Sequence, residues 1–413
     1  DINEEMKIAA ANAIAELARE RVPEEVAAAY GVSHRFGTDY IIPAPFDPRL
    51  MEVVSSAVAK AAMDSGVALA PIEDFEEYRH KLKARLNPTT AALTNIYELA
   101  KATPKRMVFA EAEEEVVLRA AIQFRDFGYG EPILVGRTEK VLDKLKELAV
   151  DDPESFTIEN SAVSDKKTEM VDHLYKRLQR RGYTERDVAR MVNQERNVFA
   201  ALLVALGHGD GLISGLTRTF AQTAREIGRV IDAKPGAHPF GIHMMIGKNH
   251  TTFLADTTIT ERPTAEQLAH IACETAEVAK RMGHEPRVAF LSYSTFGNPP
   301  GQWLDNLRDA VAILDREQPD FEYEGEMAPD AALNPKVMAL YPFSRLSGPA
   351  NVLVMPGLQS ANLSAKLLRE LGGATTIGPM LIGMQKPVQI APMTAIAPDV
   401  LTLAVLASAG VVG

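Results

Sequence analysis

The feature that most constrains the fold is an alternation, from Lys105 onward, of short apolar segments with amphipathic helical ones. Residues 107–110 (Met-Val-Phe-Ala) are typical of a buried strand, and the pattern over 115–127 predicts an amphipathic helix that ends at Gly128. Further apolar segments of strand length follow at residues 132–136, 211–214, 287–292 and 351–355. The alternation predicts an α/β fold built on a largely parallel sheet.

The first 86 residues lack that alternation and contain no complete strand–helix–strand unit. Asn3 can cap a helix that carries apolar residues at helical spacing, a short helix is predicted over 23–29, and an alanine-rich helix ends at Ser65-Gly66. Charges of both signs over 73–87 favour a solvated linker helix over a binding tail. The sequence therefore predicts a helical segment over 1–86 and a second domain over 93–413.

Charge and cysteine content exclude several classes of protein. The 44 Lys and Arg residues are outnumbered by 55 Asp and Glu, and the net charge of −11 argues against binding to nucleic acid. The single cysteine, Cys273, excludes a disulfide scaffold and a thiolate zinc site. No run of 18 apolar residues and no signal-like segment is present, so we expect no membrane partner and a cytoplasmic location. The start at Asp1 without methionine is typical of a fragment.

The loop over 292–301 is the first candidate for ligand binding, because open α/β sheets bind ligands at the carboxyl ends of their strands. It follows an apolar strand and offers the hydroxyls of Ser292, Ser294 and Thr295. Hydroxyls and backbone N–H groups in such a loop suit an anionic or carbonyl ligand. An ordinary loop with serine and threonine turns is the alternative that the residues leave open.

A second candidate is the glycine-rich stretch over 207–215, which matches neither a dinucleotide fingerprint nor a Walker phosphate loop. Arg218 and Arg225 follow it near a predicted helix start, and arginine suits bidentate recognition of phosphate, although a surface salt bridge is the commoner fate of one arginine. The closely spaced His238, His243 and His250 lack metal-ligand spacing and are interpreted as structural. From chemistry alone, Asp399 is a carboxylate at a helix start.

Two resemblances go further than these patterns. The first 80 or so residues resemble the carboxyl-terminal end of a bacterial malic enzyme, and the motifs that carry this likeness are residues 6–11, 40–43, 45–50 (Pro-Phe-Asp-Pro-Arg-Leu) and 61–68. From about Leu93 to Gly413 the chain resembles phosphate acetyltransferase, on residues 210–215, 263–268, 285–295, 350–354, 377–379 and 386–388. The two together resemble the hybrid, NADP-dependent malic enzymes of bacteria.

The resemblance implies a two-lobed fold, similar to that of isocitrate and isopropylmalate dehydrogenases, with the site between the lobes. Lobe one would comprise residues 93–237 with 388–413, and lobe two residues 238–387. The helical malic-enzyme segment over 1–86 would precede both lobes.

Site residues are carried over from the acetyltransferase family position by position. Arg225 matches the family arginine, and Asp399 matches the aspartate that takes the proton from the thiol of coenzyme A. Pro392 and Met393 stand where the family has a serine and an arginine, and Leu178 falls on a further arginine position, with Arg180 and Arg181 close by. The resemblance implies no catalytic residue and no metal ligand here, and an effector site made of Arg225, Ser292, Ser294, Thr295, Asn362, Lys366 and Asp399.

The lost serine–arginine pair implies poor catalysis, because removing one preorganised donor typically costs on the order of 10²–10³ in rate. The resemblance therefore implies a regulatory and oligomerisation region that binds acetyl-coenzyme A, or a related ester, as an effector of an upstream malic-enzyme domain. NADP and Mg²⁺ or Mn²⁺ would serve that domain, where malate is decarboxylated, and this chain would bind neither. An active phosphate acetyltransferase and a pure assembly scaffold are the alternatives.

Overall fold

A computed structural model describes residues 2–20, 36–37, 40–43, 47, 49–72, 74–76, 78–79, 82, 88–247, 250–372 and 375–412. The chain forms two compact units, Asp1–Thr94 and Asn95–Gly413. The short helix predicted over 23–29 lies outside the described residues, as does much of the predicted linker over 73–87. Within the described parts, no helix is both long and apolar enough to cross a membrane.

In the described part of the first unit, the helix α1 (Glu4–Arg19) packs against the helix α2 (Arg49–Asp64). The side chain of Asn3 caps α1 by accepting a hydrogen bond of 3.0 Å from the backbone N–H of Met6. Its amide also donates to the hydroxyl of Ser65 at 2.9 Å, which ties the start of α1 to the end of α2. The helical character predicted for the amino-terminal segment is confirmed.

The second unit alternates strands and helices. Its strands are β1 (Lys105–Phe109), β2 (Gly130–Val135), β3 (Thr157–Glu159), β4 (Gly211–Gly215), β5 (Phe240–Ile246), β6 (Thr251–Ala255), β7 (Arg287–Leu291), β8 (Glu322–Met327), β9 (Val352–Val354), β10 (Thr375–Ile382) and β11 (Val388–Ala391). Its helices are α3 (Pro88–Ala102), which begins before the unit boundary, then α4 (Glu115–Asp126), α5 (Thr138–Glu147), α6 (Lys167–Leu178), α7 (Glu185–Gln194), α8 (Arg196–Ala205), α9 (Phe220–Ile227), α10 (Ala265–Arg281), α11 (Asp305–Glu317), α12 (Pro329–Leu333), α13 (Pro335–Met338), α14 (Leu358–Gly372) and α15 (Ala397–Ser408).

The strands form two sheets. The first has the order β11-β4-β1-β2-β3, and all of its strand pairs are parallel. The second has the order β10-β5-β6-β9-β7-β8, with antiparallel pairs at the β10–β5 and β5–β6 positions and parallel pairs elsewhere. The predicted α/β class is therefore confirmed, in the form of two sheets rather than one.

Each sheet has its own apolar core, as the strand and helix patterns of the sequence require. On the first sheet, Val108 and Leu212 pack with α6, α7 and the almost wholly apolar α8, whose Phe199 is fully buried. On the second, Leu254 and Leu353 pack with small residues of α14, namely Ala361 and Ala365. The two cores share no residue.

Two chain segments connect the sheets, one between Ile227 and Phe240 and the other between Ile382 and Val388. They are hydrogen-bonded to each other around an antiparallel bridge between Ala233 and Met384. The backbone N–H of Lys234 donates to the backbone carbonyl of Gly383 at 2.9 Å. The backbone N–H of Gln385 donates to the backbone carbonyl of Asp232 at 3.0 Å. The sheets are thus joined by one paired ribbon rather than by two separate strands of chain.

The return of the chain to the first sheet as β11 depends on a close approach at Gly215. This glycine has φ +121°, and a Cβ built on it would lie 2.1 Å from the carbonyl oxygen of Ala391, its register partner in β11. No side chain fits between these two backbones. A glycine is therefore required where β4 ends.

We predict that Gly215→Ala lowers the free energy of unfolding by about 3 kcal/mol or more, because backbone strain and a backbone clash add. Gly182→Ala is the matched control, since Gly182 has φ +86° with no atom within 4 Å of the built Cβ, so that only about 1–2 kcal/mol of strain is expected. Denaturant unfolding followed by circular dichroism measures both. Equal losses in the two variants would contradict the close approach.

Candidate functional site

The carboxyl ends of β4 and β11 define the candidate site. The two strands are parallel neighbours, so the segment after β4 (216–219) and the segment after β11 (392–396) leave the sheet at the same edge. The first leads into α9, which carries Arg225, and the second leads into α15, which carries Asp399. The two helices thus start at one edge of one sheet, but Asp399 lies in the first turn of α15 and Arg225 in the last turn of α9, and Asp399 does not line the cavity at Arg225.

Arg225 lies at the rim of a cavity of about 360 Å³. Ala224 and Ile227 of α9 form one wall, while Ile259, which follows β6, and Leu381 of β10 form the other. The walls therefore come from helices and strands of both sheets, and they are mostly apolar. The side chain of Arg225 is exposed and makes no hydrogen bond or ion pair with any described residue.

A polar groove of about 540 Å³ adjoins the cavity and shares Arg225 with it. Arg218 and Arg229 also line this groove, but both are already paired. Arg229 contacts Glu195 at 2.8 Å, and Arg218 forms an ion pair with Glu226. Arg225 is consequently the guanidinium of this groove whose positive charge is not balanced by a described carboxylate.

A buried polar chain that the sequence did not predict supports α9. The amide of Asn197 donates to Glu226 at 2.7 Å and accepts at 2.5 Å from the hydroxyl of Ser214, and all three side chains are buried. Buried polar side chains need such hydrogen-bond partners. These hydrogen-bonded side chains hold α9 against β4 and so fix the position of Arg225. A polar residue in the first turn of the apolar α8 is the sequence signal that could have indicated Asn197.

Glu111 is a second buried carboxylate at this edge, just after β1. It accepts hydrogen bonds from the hydroxyl of Thr217 at 2.7 Å and from the backbone N–H of Thr217 at 3.0 Å. Burial raises the pKa of Glu111, although these hydrogen bonds and the charge of Arg196 oppose the rise. Glu111 thereby holds the segment that leads into α9.

Asp399 lies in the first turn of α15 and accepts a hydrogen bond of 3.0 Å from the backbone N–H of Ile396. Burial raises its pKa, opposed by that hydrogen bond and by the charge of Arg369 on α14. Pro392 is half-buried, and the thioether of Met393 is 58% exposed. Neither side chain can donate a hydrogen bond to a developing negative charge.

His243 of β5 and Asn362 of α14 meet at Thr257. The amide of Asn362 donates to the carbonyl of Thr257 at 3.1 Å, and Nδ1 of His243 lies 2.8 Å from its hydroxyl oxygen. Because the Thr257 hydroxyl donates to the carbonyl of Gly241 at 3.1 Å, the imidazole must donate from Nδ1, which leaves Nε2 as an acceptor. Burial, together with the charges of Arg369 and Lys366, lowers the pKa of His243 to about 4. His243 is thus a neutral hydrogen-bond acceptor that feels the positive charges of Arg369 and Lys366.

The three hydroxyls of the loop after β7 have partners within their own lobe. Ser294 donates to the buried Glu326 at 3.1 Å, while Ser292 accepts from the backbone N–H of Ser294 and Thr295 from that of Ala328. None of the three lines the cavity at Arg225. These contacts are typical of serine and threonine turns, and the effector role of this loop stays a prediction.

Other positions singled out in the sequence lie apart from the cavity at Arg225. Leu178 belongs to the core of the first sheet, and Arg180 and Arg181 are exposed. Burial raises the pKa of the Cys273 thiol to about 11. In the described ranges, no three His, Cys, Asp or Glu side chains are grouped so as to hold a metal ion.

Fold and site together define a class: a two-sheet α/β protein with a cavity lined from both sheets and, on its rim, an arginine that no described carboxylate pairs with. Residues 91–408 match the family described as phosphate acetyl/butaryl transferase. The chain belongs to this family, and the resemblance to phosphate acetyltransferase is confirmed.

A solved structure and two curated relatives place the chain more closely. A phosphotransacetylase from Streptococcus pyogenes is 33% identical, with a TM-score of 0.73, and the match covers 78% of this chain and 98% of that one. An NADP-dependent malic enzyme from Rhizobium meliloti is 50% identical over 98% of this chain, and a probable one from Rickettsia prowazekii is 47% identical over 98%. The chain covers only 54% and 55% of these two relatives, about half of their length. The predicted likeness to the hybrid malic enzymes is confirmed.

Glu113, four residues after the end of β1, makes the stability of the fold depend on pH. Arg137 donates to it from Nε at 2.9 Å and from its backbone at 3.1 Å, and Arg196 lies 3.7 Å away. The hydrogen bonds from Arg137, aided by the charge of Arg196 and opposed by burial, lower the pKa of Glu113 to about 2. A depressed carboxyl pKa stabilises the fold above the unfolded value of 4.5, and this stability is lost as the pH falls from 4.5 toward 2.

We predict that Arg137→Ala lowers the thermal unfolding midpoint at pH 7 by on the order of 1–3 °C, since the arginine is more than half exposed. The difference in unfolding midpoint between the variant and the unsubstituted protein should become smaller between pH 4.5 and pH 3, because Glu113 becomes protonated in the variant. Scanning calorimetry at several pH values measures this. Arg316→Ala, an exposed arginine on α11, serves as the control with no pH-dependent difference. If the difference in unfolding midpoint between Arg137→Ala and the unsubstituted protein stays constant down to pH 3, the pairing of Arg137 with Glu113 is contradicted.

Proposed function

We propose that this chain is a regulatory module that binds acetyl-coenzyme A, or a related coenzyme A ester, in the cavity at Arg225. The observation that carries the proposal is the unpaired guanidinium of Arg225, which adjoins both an apolar cavity and a polar groove. An acyl-coenzyme A offers phosphates for a guanidinium and a long uncharged arm that can enter a cavity of this lining. One ligand of this class can therefore occupy the apolar cavity and the polar groove at the same time.

Catalysis of acetyl transfer is proposed to be weak. Asp399 is proposed as the base from its match to the family alone, and its raised pKa suits proton transfer near neutral pH better than an ordinary aspartate would. However, Pro392 and Met393 supply no donor for the charge that develops on the acyl oxygen, and each missing donor typically costs on the order of 10²–10³ in rate. Ligand binding without efficient turnover is the behaviour of an effector site.

Regulation follows from the position of the cavity between the sheets. A ligand that contacts Ile227 on one side and Ile259 on the other favours the arrangement in which both walls are within reach. Any such preference couples the ligand to surfaces elsewhere on the molecule. We propose that the coupled activity is that of an upstream, cytoplasmic malic-enzyme domain that uses NADP and Mg²⁺ or Mn²⁺, and that the module also forms homo-oligomers.

We predict saturable binding of acetyl-coenzyme A to the 413-residue chain by isothermal titration calorimetry. Arg225→Ala should weaken the affinity by on the order of 10- to 100-fold, because a charge-assisted hydrogen bond is lost. Arg316→Ala removes the same charge from an exposed position on α11 and should leave the affinity unchanged. Absence of binding at millimolar ligand, or equal effects of the two substitutions, would sink the proposed site.

The two alternatives have distinct outcomes. An active phosphate acetyltransferase would convert acetyl phosphate and coenzyme A into acetyl-coenzyme A at enzyme-like rates, whereas the proposal expects a trace rate that Met393→Arg raises. A scaffold with an unused cavity would show no shift of the thermal midpoint with acetyl-coenzyme A, although a ligand that binds only the folded state must raise it.

A further inference from the structure

The chain that follows α15 is held in a fixed position against its own helix. The backbone N–H of Val411 donates to the carbonyl of Leu406 at 3.1 Å. The backbone N–H of Gly410 donates to the carbonyl of Ala407 at 3.2 Å. These two hydrogen bonds are those of a Schellman motif, which ends a helix in one defined geometry. The side chains of Val411 and Val412 are buried as well, so the backbone carbonyl of Val411 has a fixed place at the end of α15.

A residue of lobe two donates a hydrogen bond to this carbonyl. Nη1 of Arg281 lies 3.1 Å from the carbonyl oxygen of Val411, although the two residues are 130 positions apart in sequence. Arg281 is the last residue of α10, which packs on β6, β7 and β9 of the second sheet. Val411 follows α15, which packs on β4 and β11 of the first sheet. The hydrogen bond therefore joins elements of the two lobes at a place outside the paired ribbon.

The positive charge of Arg281 suits the end of a helix. The last carbonyls of a helix carry partial negative charge, and a cation near them is stabilising. The last turn of α15 contains no basic residue of its own. Arg281 forms no ion pair with a described carboxylate, so its charge is available to these carbonyls. Lobe two thus supplies the cation that the sequence of α15 lacks.

We propose that Arg281 is a positioning residue for the cavity at Arg225, because its hydrogen bond to Val411 stabilises the arrangement of the lobes in which the cavity has both of its walls. The structure in which this hydrogen bond is formed also has Ile227 of lobe one and Leu381 of lobe two lining one cavity. Movement of lobe two away from α15 would break the hydrogen bond and displace the wall that contains Leu381.

The paired ribbon does not replace this contact. The hydrogen bonds made by the backbone N–H groups of Lys234 and Gln385 run between the two connecting segments, so they hold those segments to each other. The contact between Arg281 and Val411 instead runs from a helix of one lobe to the end of a helix of the other. The inference rests on the proposed function, since it concerns the affinity of the same cavity for acetyl-coenzyme A.

Arg281→Met tests the proposal, because methionine keeps an unbranched side chain and removes the donor and the charge. An apparent dissociation constant rises as the binding-competent fraction of the protein falls. We therefore expect isothermal titration calorimetry to show an affinity for acetyl-coenzyme A that is lower on the order of 3- to 10-fold, the effect of one hydrogen bond. Arg281→Lys keeps a cation with donors and should restore most of the affinity.

Arg316→Met is the matched control, since it removes an exposed arginine from α11 of the same lobe and should leave the affinity unchanged. Thermal unfolding of each variant is measured beside the titrations. A purely structural role for Arg281 would lower the unfolding midpoint without changing the affinity of the folded protein. Unchanged affinity in Arg281→Met, or an equal loss in Arg316→Met, overturns the proposal.

A measurement without ligand separates failure of this inference from failure of the proposed function. Nitroxide labels on Arg119→Cys in α4 and Asp309→Cys in α11, both exposed positions, are introduced into the Cys273→Ser chain. Double electron–electron resonance then reports the distance between the lobes. We expect Arg281→Met to broaden the distribution of distances, and an unchanged distribution overturns the proposal. If acetyl-coenzyme A does not bind the unsubstituted chain while the distribution still broadens, the effector site fails and the role of Arg281 in holding the lobes is retained.

Discussion

The pairing of β11 with β4 is the contact on which the rest of the structure depends. The chain leaves the first sheet after β4, builds the whole second sheet, and returns only at Val388 to lie beside the strand it left. That return places the segment after β11 next to the segment before α9. The approach at Gly215 is so close that the two segments hold a fixed spacing. The candidate site therefore exists only once both sheets have formed.

Local features of the fold could be predicted from the sequence because they depend on neighbouring residues. The strand over 107–110 and the helix over 115–127 follow from apolar periodicity, and Asn3 and Thr264 cap helices by contacts within one turn. The order of strands could not be predicted in this way, since nothing in β11 itself specifies β4 as its neighbour. The family resemblance implied only that residues 388–413 belong to one lobe with residues 93–237.

The candidate site, too, combines features set by neighbouring residues with contacts between residues that are distant in sequence. Arg225 and Asp399 were found because each matches a family position, but the buried carboxylates that pair with loop hydroxyls lie far from those hydroxyls in sequence. Glu111 is 106 residues from Thr217, and Glu326 is 32 residues from Ser294. From the sequence, a hydroxyl in a loop can be interpreted as free to bind a ligand. Only the structure shows the protein group to which it is already hydrogen-bonded. That is why the loop after β7 looked like the richest candidate, and why α9 has become the better one.

The paired ribbon between the sheets limits how the two lobes can move. If the two connecting segments were independent, the lobes could slide and twist as well as swing. Because Lys234 is bonded to Gly383 and Gln385 to Asp232, sliding one segment past the other breaks both hydrogen bonds, whereas bending the ribbon breaks neither. The pairing therefore opposes sliding of the two connecting segments more than it opposes a change in the angle between the sheets. Asp232, Ala233 and Met384 belong both to this ribbon and to the wall of the cavity, so a bend of the ribbon changes the shape of the cavity.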